Sequence, residues 1–121
     1  MNTLVTILFA ALSFAAAADA PAVTPVIDAK KLYLAKCSTC HAKDGKGSKS
    51  MAAMFKAKLE DLDLTSAALQ KNDDAAITKI IAGGRNKMPA FKGKLKDAEI
   101  AALVGYIRTI AAPAAPAGDT K

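Results

Sequence analysis

The stretch Cys37-Ser38-Thr39-Cys40-His41 contains both cysteines and the only histidine of the 121-residue chain. Two thiols and an imidazole, side chains that form covalent bonds or bind metals, thus lie within one turn of backbone. The residues before it read as a helix. Asp28 is an N-capping residue, and Ala29, Tyr33 and Cys37 recur every four positions, which puts them on one face. The helix runs to about Lys36, so the Cys-x-x-Cys-His group stands where it ends.

Two thiols at this spacing followed directly by a histidine form the attachment pattern of a c-type haem. The thiols of Cys37 and Cys40 reach the two vinyl groups along one edge of the macrocycle, and His41 is then held beneath the iron as proximal ligand. Other chemistries fit less well. A thioredoxin-like redox pair needs a βαβ setting, which the sequence does not offer. Zinc needs four ligands, and the adjacent Cys40 and His41 share one tetrahedral ion with difficulty. A local disulfide beside a solvated histidine is the plain alternative.

Composition points the same way. The chain is 52% hydrophobic but only 5% aromatic, without tryptophan, and much of the apolar fraction is alanine. Such a core is short of buried area for one small domain, and a prosthetic group would supply it. Seventeen basic residues against eleven acidic give a net charge of +6, outside the range of disordered chains at this hydrophobicity. Basic stretches without interleaved aromatics argue against nucleic acid as a partner.

Outward from the motif, Ala42–Ser50 is a polar, glycine-bearing loop. Residues 51–64 are ambiguous, with Met51, Met54 and Phe55 placed for a short helical turn, from which Met51 and Met54 are expected to line the pocket. Thr65 is placed to cap a short helix through Gln70, and Asn72 or Asp73 to cap the next, in which Ile77, Ile80 and Ile81 form a stripe stopped by Gly83-Gly84. After the basic loop Arg85–Lys96, a last helix spans about Asp97–Ala111 with Ile100, Leu103, Val104 and Ile107 on its apolar face. No segment keeps a period of two, so the expectation is an all-α domain over 28–111, three to five helices around one haem.

Residues 1–18 read as an export signal. The uncharged apolar run from Leu4 to Ala18 is too short to span a bilayer and ends at Ala16-Ala17-Ala18, an A-x-A cleavage pattern ahead of Asp19. The usual positive n-region is missing, apart from the α-amino group. Residues 19–27 form an extended leader and 112–121 a Pro/Ala tail that packs no core. After cleavage the mature protein is expected in the periplasm, with no stable membrane insertion.

Three elements together, C-S-T-C-H at 37–41, K-M-P-A-F at 87–91 and G-Y-I-R at 105–108, resemble the small bacterial class I c-type cytochromes over residues 28–110. The resemblance implies a distal iron ligand from a late loop, here Met88 followed by Pro89, in preference to Met51 or Met54. It implies a close crossing of first and last helices through Tyr33, Leu103 and Tyr106, with Ala29 where a glycine is common. It also implies a proline carbonyl accepting the imidazole N–H, yet residues 42–50 contain no proline, so another carbonyl must serve. Lys96 likewise stands where a serine or threonine would cap the last helix.

The function so implied is that of an exported electron carrier, with no catalytic residues and one covalent haem c, acting as a monomer. Lys36, Lys43, Lys46 and Lys49, with Arg85, Lys87, Lys92 and Lys94, are candidates for a positive ring that docks acidic redox proteins. Lys36, Lys43, Lys87 and Lys92 are the contacts singled out. Two alternatives share the motif: a small haem subunit of a larger periplasmic oxidoreductase, and a haem protein whose labile distal site binds gas or peroxide.

Overall fold

The computed structural model describes residues 25–112. The expected signal segment 1–18, most of the leader 19–27 and nearly all of the 112–121 tail lie outside the described residues. Six α-helices follow in order: α1 (Ala29–Lys36), α2 (Ser38–His41), α3 (Lys49–Phe55), α4 (Ala67–Gln70), α5 (Asp74–Gly83) and α6 (Asp97–Ala111). A 3₁₀ turn at Leu59–Leu62 separates α3 from α4. Four of the helices have seven or more residues, whereas α2 and α4 are single turns of four. Among the described residues there are no strands, only isolated bridges at Arg85–Met88 and Lys92–Leu95.

Local chemistry sets most boundaries. The Asp28 carboxylate accepts the Lys31 N–H at 2.9 Å, and Asp73 accepts that of Ala76 at 2.7 Å, each satisfying an orphan amide of a helix start. Thr65 does not cap α4. Its N–H and hydroxyl both donate to the Asp63 carboxylate, at 2.7 and 2.6 Å, and Ser66 takes the N-cap position instead. At α6 the lysine at the cap has no acceptor to offer. Half of a capping box survives, with the Glu99 carboxylate accepting the Lys96 N–H at 2.8 Å.

α1 packs across α6, and α5 packs on the same helix. At the first crossing Tyr33 is fully buried, its ring 5.1 Å from that of Tyr106 at 53°, a tilted pair contributing about 0.5–1.5 kcal/mol beyond its area. Ile100, Leu103, Val104 and Ile107 turn inward from α6 onto Ile77 and Ile81 of α5, joined by Leu64 and Leu95 from the loops.

Arg108, in the last turn of α6, ties that helix to the segment between α4 and α5. Its guanidinium donates to the Gln70 carbonyl and side-chain oxygen, both at 2.9 Å, to the Asn72 carbonyl at 2.6 Å, and to the Asp74 carboxylate at 2.9 and 3.0 Å. The Asp74 side chain is largely exposed, so the carbonyl contacts matter more than the ion pair. Arg108→Ala should cost about 1–3 kcal/mol in chemical denaturation, and Arg108→Lys should restore little, because an ammonium cannot span the fork. Asp74→Ala should cost less than about 1 kcal/mol.

Candidate cofactor site

Cys37 ends α1 and begins α2, and the Ser38 hydroxyl, donating to the Leu34 carbonyl at 2.7 Å, staples the two together. Because α2 is a true helical turn, with the His41 N–H on the Cys37 carbonyl at 3.0 Å, residues 37, 40 and 41 follow i, i+3, i+4 spacing and share a face. All three line one cleft of about 210 Å³, walled further by Phe55, Leu62, Met88, Pro89 and Phe91. A smaller apolar cavity of about 40 Å³, reaching in to Leu64, Ile77 and Ile107, shares Cys37, His41, Met88 and Phe91 with the cleft. These four side chains therefore stand at the boundary between the cleft and the hydrophobic core.

His41 is 9% exposed. Its Nδ1–H donates to the Leu62 carbonyl at 2.8 Å, which fixes the tautomer, since a carbonyl can only accept. Burial lowers the imidazole pKa and the Leu62 bond opposes that shift only in part, so the neutral ring is favoured, with its proton on Nδ1 and Nε2 unprotonated. The acceptor that the resemblance would assign to a proline is thus supplied by Leu62, at the end of the 3₁₀ turn and 21 residues along the chain. That turn is braced from both sides. The Leu64 N–H donates to the Gly45 carbonyl, and the Gln70 amide to the Leu64 carbonyl, each at 2.7 Å.

Both cysteines are free thiols, not a local disulfide. Burial, with Cys40 adding, pushes the Cys37 thiol up to about 11, so it is neutral at physiological pH. Directly after His41, Ala42 lies at φ 59°, ψ 166°, a region occupied almost only by glycine and costing on the order of 1–3 kcal/mol. Its carbonyl accepts the hydroxyl of Tyr33 at 2.7 Å. Burial raises the Tyr33 pKa well above its ordinary value, and that hydroxyl remains a donor.

Met88 is carried by a tight turn in which the Arg85 and Met88 amides and carbonyls pair, at 3.2 and 2.8 Å, with Asn86 at φ 51°. The turn is sewn to α5 where Phe91 and Lys92 donate to the carbonyls of Ile81 and Ala82, at 3.1 and 3.0 Å. Gly84, at φ 74°, does more than stop the helix. A Cβ there would stand 2.7 Å from the Met88 carbonyl oxygen and 2.8 Å from the Ala90 nitrogen. Met51 and Met54 take no part in the cleft, contrary to the sequence reading. Met54 is 62% exposed, and from α3 it is Phe55 that reaches the wall. Of the cations proposed for the ring, Lys36, Arg85 and Lys87 line the cleft, with Asp61 the one acidic residue among the lining side chains.

The residues present fit a covalently attached haem. The site offers two free thiols, a neutral buried imidazole with Nδ1 already committed, and a thioether at one apolar cleft. Sequence reasoning missed the Leu62 carbonyl and the Ala42 conformation. The first is backbone, with no side-chain signal, and the second runs against its residue type.

Comparison with known proteins agrees. Over residues 25–107 the chain matches the family described as "Cytochrome C oxidase, cbb3-type, subunit III". It is similar to cytochrome c6 of Synechococcus sp. (strain ATCC 27167 / PCC 6312), 31% identical across 88% of this chain and 91% of that protein. It is also similar to the cbb3-type cytochrome c oxidase subunit FixP of Azorhizobium caulinodans, 33% identical across 82% of this chain but only 31% of that protein. The solved structure of the KustC0563 c-type cytochrome superposes with a TM-score of 0.59 at 35% identity, over 69% of this chain and 98% of that one.

Gly84→Ala tests the seating of the Met88 turn. Since backbone, not a flexible side chain, meets the new Cβ, the variant should lose about 1–3 kcal/mol of stability. Its haem-loaded form should also bind added imidazole more readily than the parent.

Proposed function

The chain belongs to the class I c-type cytochromes, and on that premise we propose that Cys37 and Cys40 would hold its haem by thioether bonds while His41 and Met88 would supply the ligands to its iron. One-electron transfer through a covalent haem c is the function of the chain. The observation that carries the residue assignment is the convergence of these four side chains on one cleft, with the His41 Nδ1–H already bound by the Leu62 carbonyl.

When bound, the haem supplies an iron that alternates between ferric and ferrous states. The protein's task is to make that alternation cheap and to tune it. His41 offers Nε2 as a strong donor, made more basic by the hydrogen bond from Nδ1–H to Leu62. Met88 offers a thioether, which favours the ferrous state and raises the potential. Pro89 restricts the backbone beside it, and Phe55 and Phe91 give the cleft apolar walls. His41 and Met88 both sit on segments braced by hydrogen bonds, so little of the chain would have to move with a change of the iron's charge.

Lys36, Arg85 and Lys87 give the mouth of the cleft a positive rim, suited to brief encounters with acidic redox partners. Lys43 and Lys92, exposed elsewhere on the surface, would extend that field. The uncharged apolar run at 1–18, read as a cleavable signal, supports a periplasmic site of action. Among the described residues no helix is long and apolar enough to cross a membrane. The FixP likeness favours a second reading, the small haem subunit of a larger oxidoreductase. The chain spans about a third of FixP and nine-tenths of the Synechococcus cytochrome c6.

Two variants test the reading. Met88→Ala should lower the reduction potential and leave an iron that binds added azide or imidazole. An unchanged spectrum and potential would transfer distal ligation to another side chain. Lys87→Glu should slow electron exchange with an acidic protein partner roughly two- to tenfold at low ionic strength, the difference vanishing in high salt. Stopped-flow rates that ignore both charge and salt would remove the docking rim.

A further inference from the structure

We propose that the Tyr33 hydroxyl positions the proximal imidazole, by holding Ala42 in a backbone conformation that belongs to glycine and so fixing the direction in which the chain leaves His41. The proposal rests on the assignment of His41 as the iron's proximal ligand.

Three residues between positions 42 and 47 have positive φ: Ala42 at 59°, Gly45 at 78° and Gly47 at 88°. Two of the three are glycine, for which that region is unstrained. Ala42 carries a Cβ there, and with ψ at 166° it lies where a side chain is rarely tolerated. Such a conformation persists only where the surroundings over-determine it. The Ala42 carbonyl accepts two donors, the Tyr33 hydroxyl at 2.7 Å and the Gly45 N–H at 3.3 Å. The shorter bond comes from a side chain with no freedom to wander. Tyr33 is 0% exposed, its ring fixed against Tyr106 of α6.

What depends on the reversal at Ala42 is the seat of the ligand itself. The chain doubles back so that the Gly47 N–H meets the His41 carbonyl and the Ser48 N–H meets the Cys40 carbonyl, both at 2.9 Å. The main chain of His41 is thereby fixed from the Tyr33 side, and its ring from the Leu62 side. Packing alone does not ask for the hydroxyl, since a phenylalanine would fill the same volume against Tyr106. Tyr33 is a positioning residue, acting on the iron's ligand through the backbone of Ala42.

The test uses the haem-loaded protein with Tyr33→Phe, Ala42→Gly and the double variant. Two quantities are read: the iron-shifted proton resonances of the His41 ring, and the reduction potential. Tyr33→Phe should move the ring resonances and make the potential more positive, because an imidazole drawn off the Leu62 carbonyl donates less strongly to ferric iron. Adding Ala42→Gly should return both toward the parent values, since glycine holds the conformation unaided. A Tyr33→Phe protein with a lower melting temperature but unmoved resonances and potential would overturn the proposal, leaving Tyr33 a core residue only. Failure of Ala42→Gly to restore a shifted Tyr33→Phe protein would also overturn it. Should Tyr33→Phe not assemble, Ala42→Val in the parent must reproduce the resonance shift, a β-branched residue being still worse at positive φ, and no shift would refute the idea. Absence of iron-shifted imidazole resonances in the parent protein is a different result. It would remove His41 as ligand, and the proposal with it.

Discussion

The hydrogen bond from the His41 ring to the Leu62 carbonyl, 2.8 Å long, is the constraint on which the site turns. It sets the rotation of the imidazole, selects the tautomer that frees Nε2, and strengthens that nitrogen as a donor. It also joins two segments that have no helix in common. A chain of further bonds holds the Leu62 side of this contact: Gly45 to Leu64, Leu64 to Gln70, and Gln70 to Arg108 in α6. The orientation of one ring is thus tied to the last helix through hydrogen bonds, while Tyr33 ties it to the same helix through an aromatic contact.

The cleft is where the protein's own core is incomplete. Cys37, Met88 and Phe91 pack against the buried cluster of α1, α5 and α6 and at the same time line the open cavity. The prosthetic group therefore supplies the missing wall of the core as well as the redox chemistry. A chain with so few aromatic residues gains from it the apolar area that its alanines do not bury. The proposed sites of attachment and ligation thus lie where the packing of the core meets the cleft.

How much of this was legible in the sequence follows from how local each signal is. α1 and α6 were readable to the residue, because an aspartate cap and a 3.6-residue stripe act within one segment. The Cys-x-x-Cys-His turn stood out because its residue types are rare, whereas the Met88-Pro89 loop was picked out by the family resemblance and not by its residue types. Thr65 misled because Asp63, two residues away, offered it a better partner than the start of α4. Met51 and Met54 misled because the phase of α3 turns Phe55, not either methionine, toward the cleft. The Leu62 carbonyl had no signature, since every residue carries one and only the tertiary fold selects which is used. Ala42 was hidden for the opposite reason: its sequence argues against the conformation it holds.

At the centre stands the proposal that His41 and Met88 would both ligate the iron of a haem held in the cleft. The most direct test is the absorption spectrum of the haem-loaded protein, ferric, then reduced, then reduced under carbon monoxide. A covalent c-type spectrum that carbon monoxide leaves unchanged is the predicted result, because no coordination position is open. A reduced spectrum that shifts promptly under carbon monoxide would contradict the account, showing an open or weakly held distal position and a protein built to bind a ligand at its iron.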